Sequence, residues 1–250
     1  MKKLILKLMP ASLLAVYRRE KRKLFERKNA QQTTEEVFSE IYSKNKWGGE
    51  KGEFCSGSGT ANAAIAGHYV KAIRVLAEKH GFASLRAIDL GCGDMKIGSQ
   101  ICGLFQSYHG IDIVAPLIEH NKTRSFDGEV TFSKLDIIEE ELPRGEVCFI
   151  RQVLQHLSNE QVGKILEKLK HYRFVIITEH VPSPNPELVK NVDKPHGGGI
   201  RLYKNSGVFL DCPPFSVSGS LEQVLELDDS SLQNLQDTGM IVTQLWRPNS

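Results

Sequence analysis

The stretch Leu85-Arg86-Ala87-Ile88-Asp89-Leu90-Gly91-Cys92-Gly93-Asp94 decides how this 250-residue chain folds. A short apolar run ends on an acid and passes at once into two closely spaced glycines, the pattern of a buried strand, a tight turn and the start of a helix. Outward from it, apolar runs recur at 108–113, 130–132, 147–150 and 174–178, with helix-patterned segments between several of them, such as 158–169. Strands that alternate with helices build a parallel sheet covered by helices. Two late runs, 221–227 and 239–246, are separated by a short polar stretch and predict an antiparallel pair at one end of that sheet.

The glycine turn excludes two common phosphate sites. A dinucleotide fingerprint needs Gly-x-Gly-x-x-Gly, but Lys96 stands three places after Gly93, and no Gly-Lys-Ser/Thr of a P-loop occurs. With no pyrophosphate to hold, Gly91, Cys92 and Gly93 let backbone approach an uncharged part of a ligand, while Asp89 is placed to meet a cationic group directly or through water. Asp112 ends the next strand, where a carboxylate accepts from both hydroxyls of a ribose. Asp136, in Lys134-Leu135-Asp136-Ile137-Ile138, follows the third strand and can accept from an adenine amine, with Ile113 and Ile137 on either side of the ring. A nucleoside without phosphates satisfies all three acids.

These residues resemble the class I S-adenosylmethionine-dependent methyltransferases, through Ala87-Ile88-Asp89-Leu90-Gly91-Cys92-Gly93-Asp94, Gly110-Ile111-Asp112-Ile113 and Lys134-Leu135-Asp136-Ile137 in order, across about 60–180. The resemblance implies an α/β, Rossmann-like fold: a mostly parallel seven-stranded sheet, an antiparallel last strand and helices on both faces. It implies S-adenosylmethionine as cofactor, with Asp89, Gly91 and Gly93 under the methionine part, Asp112 on the ribose and Asp136 on adenine. One departure is Met95, which stands where the family commonly has a third glycine. Ile41-Tyr42-Ser43-Lys44-Asn45-Lys46-Trp47-Gly48-Gly49 and the segment 191–215, ending in Cys212-Pro213-Pro214-Phe215, look like a narrower bacterial subgroup that often accompanies polysaccharide assembly. The resemblance thus implies methyl transfer to a hydroxyl of a sugar, a glycan or another small acceptor.

A hydroxyl acceptor benefits from a general base at the carboxyl edge of the sheet. His156 follows the fourth strand directly into that region and is the candidate, the other reading being a structural residue bonded to backbone. Arg151 and Gln152 meet the cofactor first. Glu179 and His180, taken as the end of the fifth strand, are expected at the same edge as acceptor contacts or an alternate base, together with the acceptor contacts Tyr42 and, from the long loop 181–215, Asn191 and Arg201. The glycine-rich segment 45–60 cannot be a regular helix or central strand and reads as a lid, in which Trp47 covers the cofactor or stacks on a sugar, the other reading of Trp47 being a core plug, and Ser58 bonds the methionine end.

With 40% hydrophobic and 25% charged residues, the composition excludes a disordered, collagen-like or multi-pass membrane protein. Five scattered cysteines without Cys-x-x-Cys fit free thiols in a reducing, cytoplasmic setting, and the eight histidines show no His-Glu-x-x-His or His-x-x-x-His pair, so no metal is expected. Residues 1–28 hold ten Lys/Arg and two acids, which leaves the remainder at −6. The organisation predicted is a basic amphipathic helix over 1–29, suited to an anionic membrane surface or packed on the domain, then helices and lid over 30–80, then the cofactor-binding core over 81–250. A nucleic-acid methyltransferase is the rival enzyme reading, and the acidic body argues against it. A non-catalytic adaptor on the same fold is the rival from another class.

Overall fold

The computed structural model describes residues 9–50, 52–228 and 239–249. Residues 1–8 of the basic segment lie outside them. The seven apolar runs form β1 (Arg86–Leu90), β2 (Ser107–Asp112), β3 (Val130–Lys134), β4 (Val147–Arg151), β5 (Phe174–Pro182), β6 (Ser220–Asp228) and β7 (Gly239–Arg247). They make one sheet in the order β3-β2-β1-β4-β5-β7-β6. The first five strands are parallel, and β7 runs antiparallel to both β5 and β6. Chain order reverses between β1 and β4, where Leu90 pairs with Ile111 on one side and Ile150 on the other, so three strands finish level. In open α/β sheets the crevice at such a reversal is where ligands bind.

Side-chain alternation divides the core into two layers. Ile88, Leu90, Cys148, Ile150, Val175 and Ile177 face the side covered by α2 (Thr34–Ser43), α4 (Ala115–Lys122) and α5 (Asn159–Leu169). Ala87, Val147, Phe149, Phe174 and Ile176 face α3 (Ala63–His80). Capping sets the helix ends. Thr33 and Glu36 form a capping box on α2, as do Ser158 and Gln161 on α5. Asn62 accepts from the N–H groups of Ala64 and Ile65, so α3 begins at Ala63 and the preceding Ser58–Ala61 is a separate helical turn. The basic helix α1 (Ala11–Asn29) precedes them, and the segment between α2 and that turn is irregular, with Gly48, Gly49, Gly52 and Gly57 left-handed.

The fifth strand is longer than its apolar run. β5 continues to Pro182 because Glu179 and His180 pair with Val242 and Ile241 of β7. Consecutive strand residues point to opposite faces. Glu179 and His180 are therefore not a joint pair of edge groups.

Candidate functional site

At the carboxyl ends of β1, β2 and β4 lies a cavity of about 540 Å³, within the range of small-molecule sites. Its floor is the turn after β1. Gly91 (φ +77°) and Gly93 (φ +56°) are left-handed, and the N–H groups of Gly91 and Cys92 both donate to the Ile111 carbonyl, at 2.8 and 2.9 Å. A Cβ on Gly91 would overlap the Val153 methyl, and one on Gly93 would overlap the Ser56 hydroxyl. Met95 also takes a left-handed φ of +56°, so the turn keeps a glycine-like conformation there while the side chain is fully buried against Gly98.

The three acids all line the cavity. Asp112 accepts from the N–H groups of Gly93 (3.2 Å) and Val114 (3.0 Å), and burial pushes its carboxyl up to about 6 against those donors. Asp89 accepts from the Tyr108 hydroxyl at 2.6 Å and is likewise raised by burial to about 6. Asp136 is half-buried and caps its own turn through the Ile138 N–H at 2.9 Å. Ile113 and Ile137, both half-buried, border the cavity beside it.

The opposite wall comes from the glycine-rich segment and the end of β4. Ser56 and Asp94 bond reciprocally: the Ser56 N–H donates to the carboxylate at 3.1 Å, and the Asp94 N–H donates to the hydroxyl at 2.9 Å. This clasp lays residues 54–60 across the glycine turn, with the Tyr42 hydroxyl 3.1 Å from Ser56. Arg151 donates to Thr60 Oγ1 (2.9 Å) and the Gly59 carbonyl (3.0 Å), lies over the Tyr69 ring, and leaves its buried Nε without a partner. Gln152 holds φ +57° with its N–H on the Thr178 carbonyl, and its amide abuts Gly59. The Ser58 side chain falls outside the described residues.

Beyond these groups the cavity becomes aromatic. Trp47 packs against Tyr42, Phe38 and His156, with ring centroids at 5.4, 5.9 and 5.0 Å, and its indole N–H reaches the Gly198 carbonyl at 3.4 Å. His156 is buried. Its Nδ1 donates to the Gly197 carbonyl (3.2 Å), its Nε2 lies 3.4 Å from the Gln155 amide, and burial beside Lys194 and Arg201 holds its pKa down to about 3. The ring is thus neutral at physiological pH, far from the near-neutral value suited to a general base. His180 also lines the cavity.

Glu179, Asn191 and Arg201 do not line the cavity, because their polar atoms are engaged elsewhere. Glu179 accepts the N–H groups of Leu154 and Gln155, each at 2.9 Å, and so holds the turn that carries His156. Arg201 is fully buried and donates to the carbonyls of Val192, Leu154 and Leu157 and to Asn159 Oδ1. Asn191 donates to the carbonyls of Phe209, Cys212 and Pro213 and orders the loop before β6. Groups that only tertiary contact reveals include Tyr69 and Tyr108, and Arg22 and Tyr203, which border the aromatic end.

No protein-family model matches the sequence, and no curated protein matches it. Solved structures do match. The chain superposes on the [4+2]-cyclase SpnF with a TM-score of 0.54 at 13% identity, over 88% of this chain and 98% of that one. It superposes on magnesium protoporphyrin IX methyltransferase (ChlM) from Synechocystis PCC 6803 with bound SAM, with a TM-score of 0.52 at 13% identity, over 86% and 98%. The fold is the Rossmann-like methyltransferase fold. The chain spans 62% of the length of a dimethyladenosine transferase from Plasmodium falciparum, at 14% identity, 74% coverage of this chain and a TM-score of 0.47. At these identities the likeness concerns the fold, and a cyclase among the matches shows that the fold alone leaves the reaction open.

Proposed function

We propose that this protein is an S-adenosylmethionine-dependent methyltransferase acting at oxygen on a sugar, glycan or other small acceptor. The observation that carries the reading is the convergence of Asp89, Asp112, Asp136 and the Gly91–Gly93 turn on one cavity that continues into an aromatic chamber. The residues present fit the cofactor. Backbone at the turn is bare where a Cβ would collide, and the buried Arg151 Nε is a spare donor for a carboxylate. ChlM, of the same fold, holds SAM.

When bound, the cofactor supplies a methyl group that is already electrophilic. The tasks left to this chain are alignment and exclusion of water. Asp112 and Asp136 orient the nucleoside, Arg151 and the 56–60 segment hold the amino-acid end, and Trp47 closes the aromatic side. His156 presents a neutral ring as a wall of the acceptor chamber and can accept a hydrogen bond there, so it positions a hydroxyl rather than storing its proton. Trp47 offers a flat face for a sugar ring.

The test is incubation with methyl-labelled cofactor and cell extract separated into nucleotide sugars, lipid-linked glycans and RNA. Label in a carbohydrate fraction is expected. Label found only in RNA would replace this reading with the nucleic-acid one, and cofactor binding without transfer to any fraction would favour a non-catalytic adaptor.

A further inference from the structure

Helix α1 presents two working faces. Of the six exposed large apolar side chains among the described residues, four lie on this helix, Leu13, Val16, Leu24 and Phe25, whereas Val75 and Val189 stand singly elsewhere. At ~100° per residue, Leu13, Val16 and Leu24 fall within about 80° of one another on the outward face. Arg19 and Lys23 flank that stripe on one side and Lys21 on the other, and Arg27 and Glu20 lie within it. Glu20, the acid on this face, is held by Lys23 at 2.9 Å and Arg19 at 3.5 Å. None of the described helices is long and apolar enough to cross a membrane.

The inward face builds the acceptor end of the cavity. The Arg22 guanidinium lies over the Tyr203 ring at 4.5 Å, the Tyr203 hydroxyl donates to Glu26, and Lys28 bonds Glu40 at 2.6 Å. Arg22 and Tyr203 both border the cavity. Lys46, which also borders it, lies over the Phe25 ring at 5.9 Å. The second acid of the helix is therefore turned inward, and the outward face is left with a net positive charge.

We propose that α1 docks on an anionic lipid bilayer and that the acceptor is membrane-borne, its head group entering the chamber between Arg22 and Trp47. An apolar stripe flanked by bases matches an interface with acyl chains beneath and anionic head groups above. Nucleic acid would meet the bases but give exposed leucines nothing to contact. One helix diameter, ~10 Å, separates the lipid-facing stripe from the residues that line the cavity. The acceptor half of this inference rests on the methyltransferase reading, whereas the docking half does not.

The experiment uses the full chain, sedimented with vesicles of phosphatidylcholine alone or mixed equally with phosphatidylglycerol, alongside calorimetry with S-adenosylhomocysteine. Binding to the mixed vesicles that weakens with salt is expected. A basic residue near such a surface is worth about fivefold in affinity, so Arg19→Glu/Lys23→Glu should lower vesicle affinity at least about 25-fold. Leu13→Ser/Leu24→Ser should lower it at least about tenfold. Both variants should bind S-adenosylhomocysteine as the parent does, since these exposed side chains do not line the cavity. Equal binding to both vesicle types, or binding to RNA but not vesicles, overturns the docking surface even where S-adenosylhomocysteine binds. Vesicle binding with no S-adenosylhomocysteine binding overturns the methyltransferase reading and leaves the docking surface standing. Label from the cofactor is expected in membrane extract, and label confined to soluble small molecules overturns the membrane-borne acceptor.

Discussion

Glu179→Gln separates a structural carboxylate from an acceptor contact. The side chain accepts two buried N–H groups, from Leu154 and Gln155, at 2.9 Å each. Glutamine keeps one oxygen and sets an NH2 against the other N–H, so one buried donor loses its partner, at a cost of about 1–3 kcal/mol. For a chain of this size each kcal/mol moves Tm by ~2–4 °C, so a drop of about 2–12 °C is expected. Burial pushes the Glu179 carboxyl up to about 8, from an ordinary 4.5, against the two N–H donors and Arg201. An acid raised on folding stabilises the fold below its unfolded value and loses that contribution as pH rises through the folded one. The gap between parent and variant should therefore be wider near pH 5 than above pH 8. The assay is thermal unfolding across that range, with and without S-adenosylhomocysteine. An unchanged Tm together with selective loss of acceptor turnover would refute this placement and return Glu179 to the substrate.

Asp89 and Asp112, both raised by burial to about 6, should make cofactor affinity fall as pH drops through 6, by up to tenfold per unit for each group. The same shifts should make the cofactor-free protein lose stability as pH rises from about 4 to about 6, and calorimetry with parallel unfolding curves reads both. Affinity that is flat between pH 5 and 8 would remove these carboxylates from the cofactor. Gly91→Ala forces a Cβ into the Val153 methyl at φ +77° and should cost about 2–4 kcal/mol in denaturant unfolding, from overlap and left-handed strain together. Val153→Ala in the same chain should restore only the overlap part, and full rescue would show that the turn tolerates a side chain. His156→Ala should lower turnover more than cofactor affinity, with no limb near pH 6–7 in the parent's rate profile at saturating cofactor, because burial holds that ring near 3. A limb there that disappears in the variant would make His156 the base after all.

Where a feature rests on local chemistry, the sequence discloses it. Asp89-Leu90-Gly91-Cys92-Gly93 announces a strand and a turn that needs left-handed backbone, Thr33 and Glu36 announce a helix start, and the seven apolar runs give the sheet. The acids at the strand ends were legible for the same reason, since a strand end in an open α/β sheet has one address. Long-range pairing is not legible in this way. Nothing near Glu179 tells that β7 extends β5 past it and turns its carboxylate under the His156 turn. Arg201 and Asn191 look like loop polars until the loop closes on itself and their donors find carbonyls. The Ser56–Asp94 clasp joins residues 38 positions apart, beyond the reach of any periodic signal.

The most direct measurement is calorimetric titration of the purified protein with S-adenosylmethionine and S-adenosylhomocysteine, beside Asp112→Asn and with a nicotinamide dinucleotide and a nucleoside triphosphate as controls. Saturable binding of both sulfur nucleosides is expected, weakened in the variant by about tenfold or more as one charged hydrogen-bond acceptor is lost, with neither control binding. No heat with the sulfur nucleosides and firm binding of a phosphate-bearing control would contradict the assignment of this cavity.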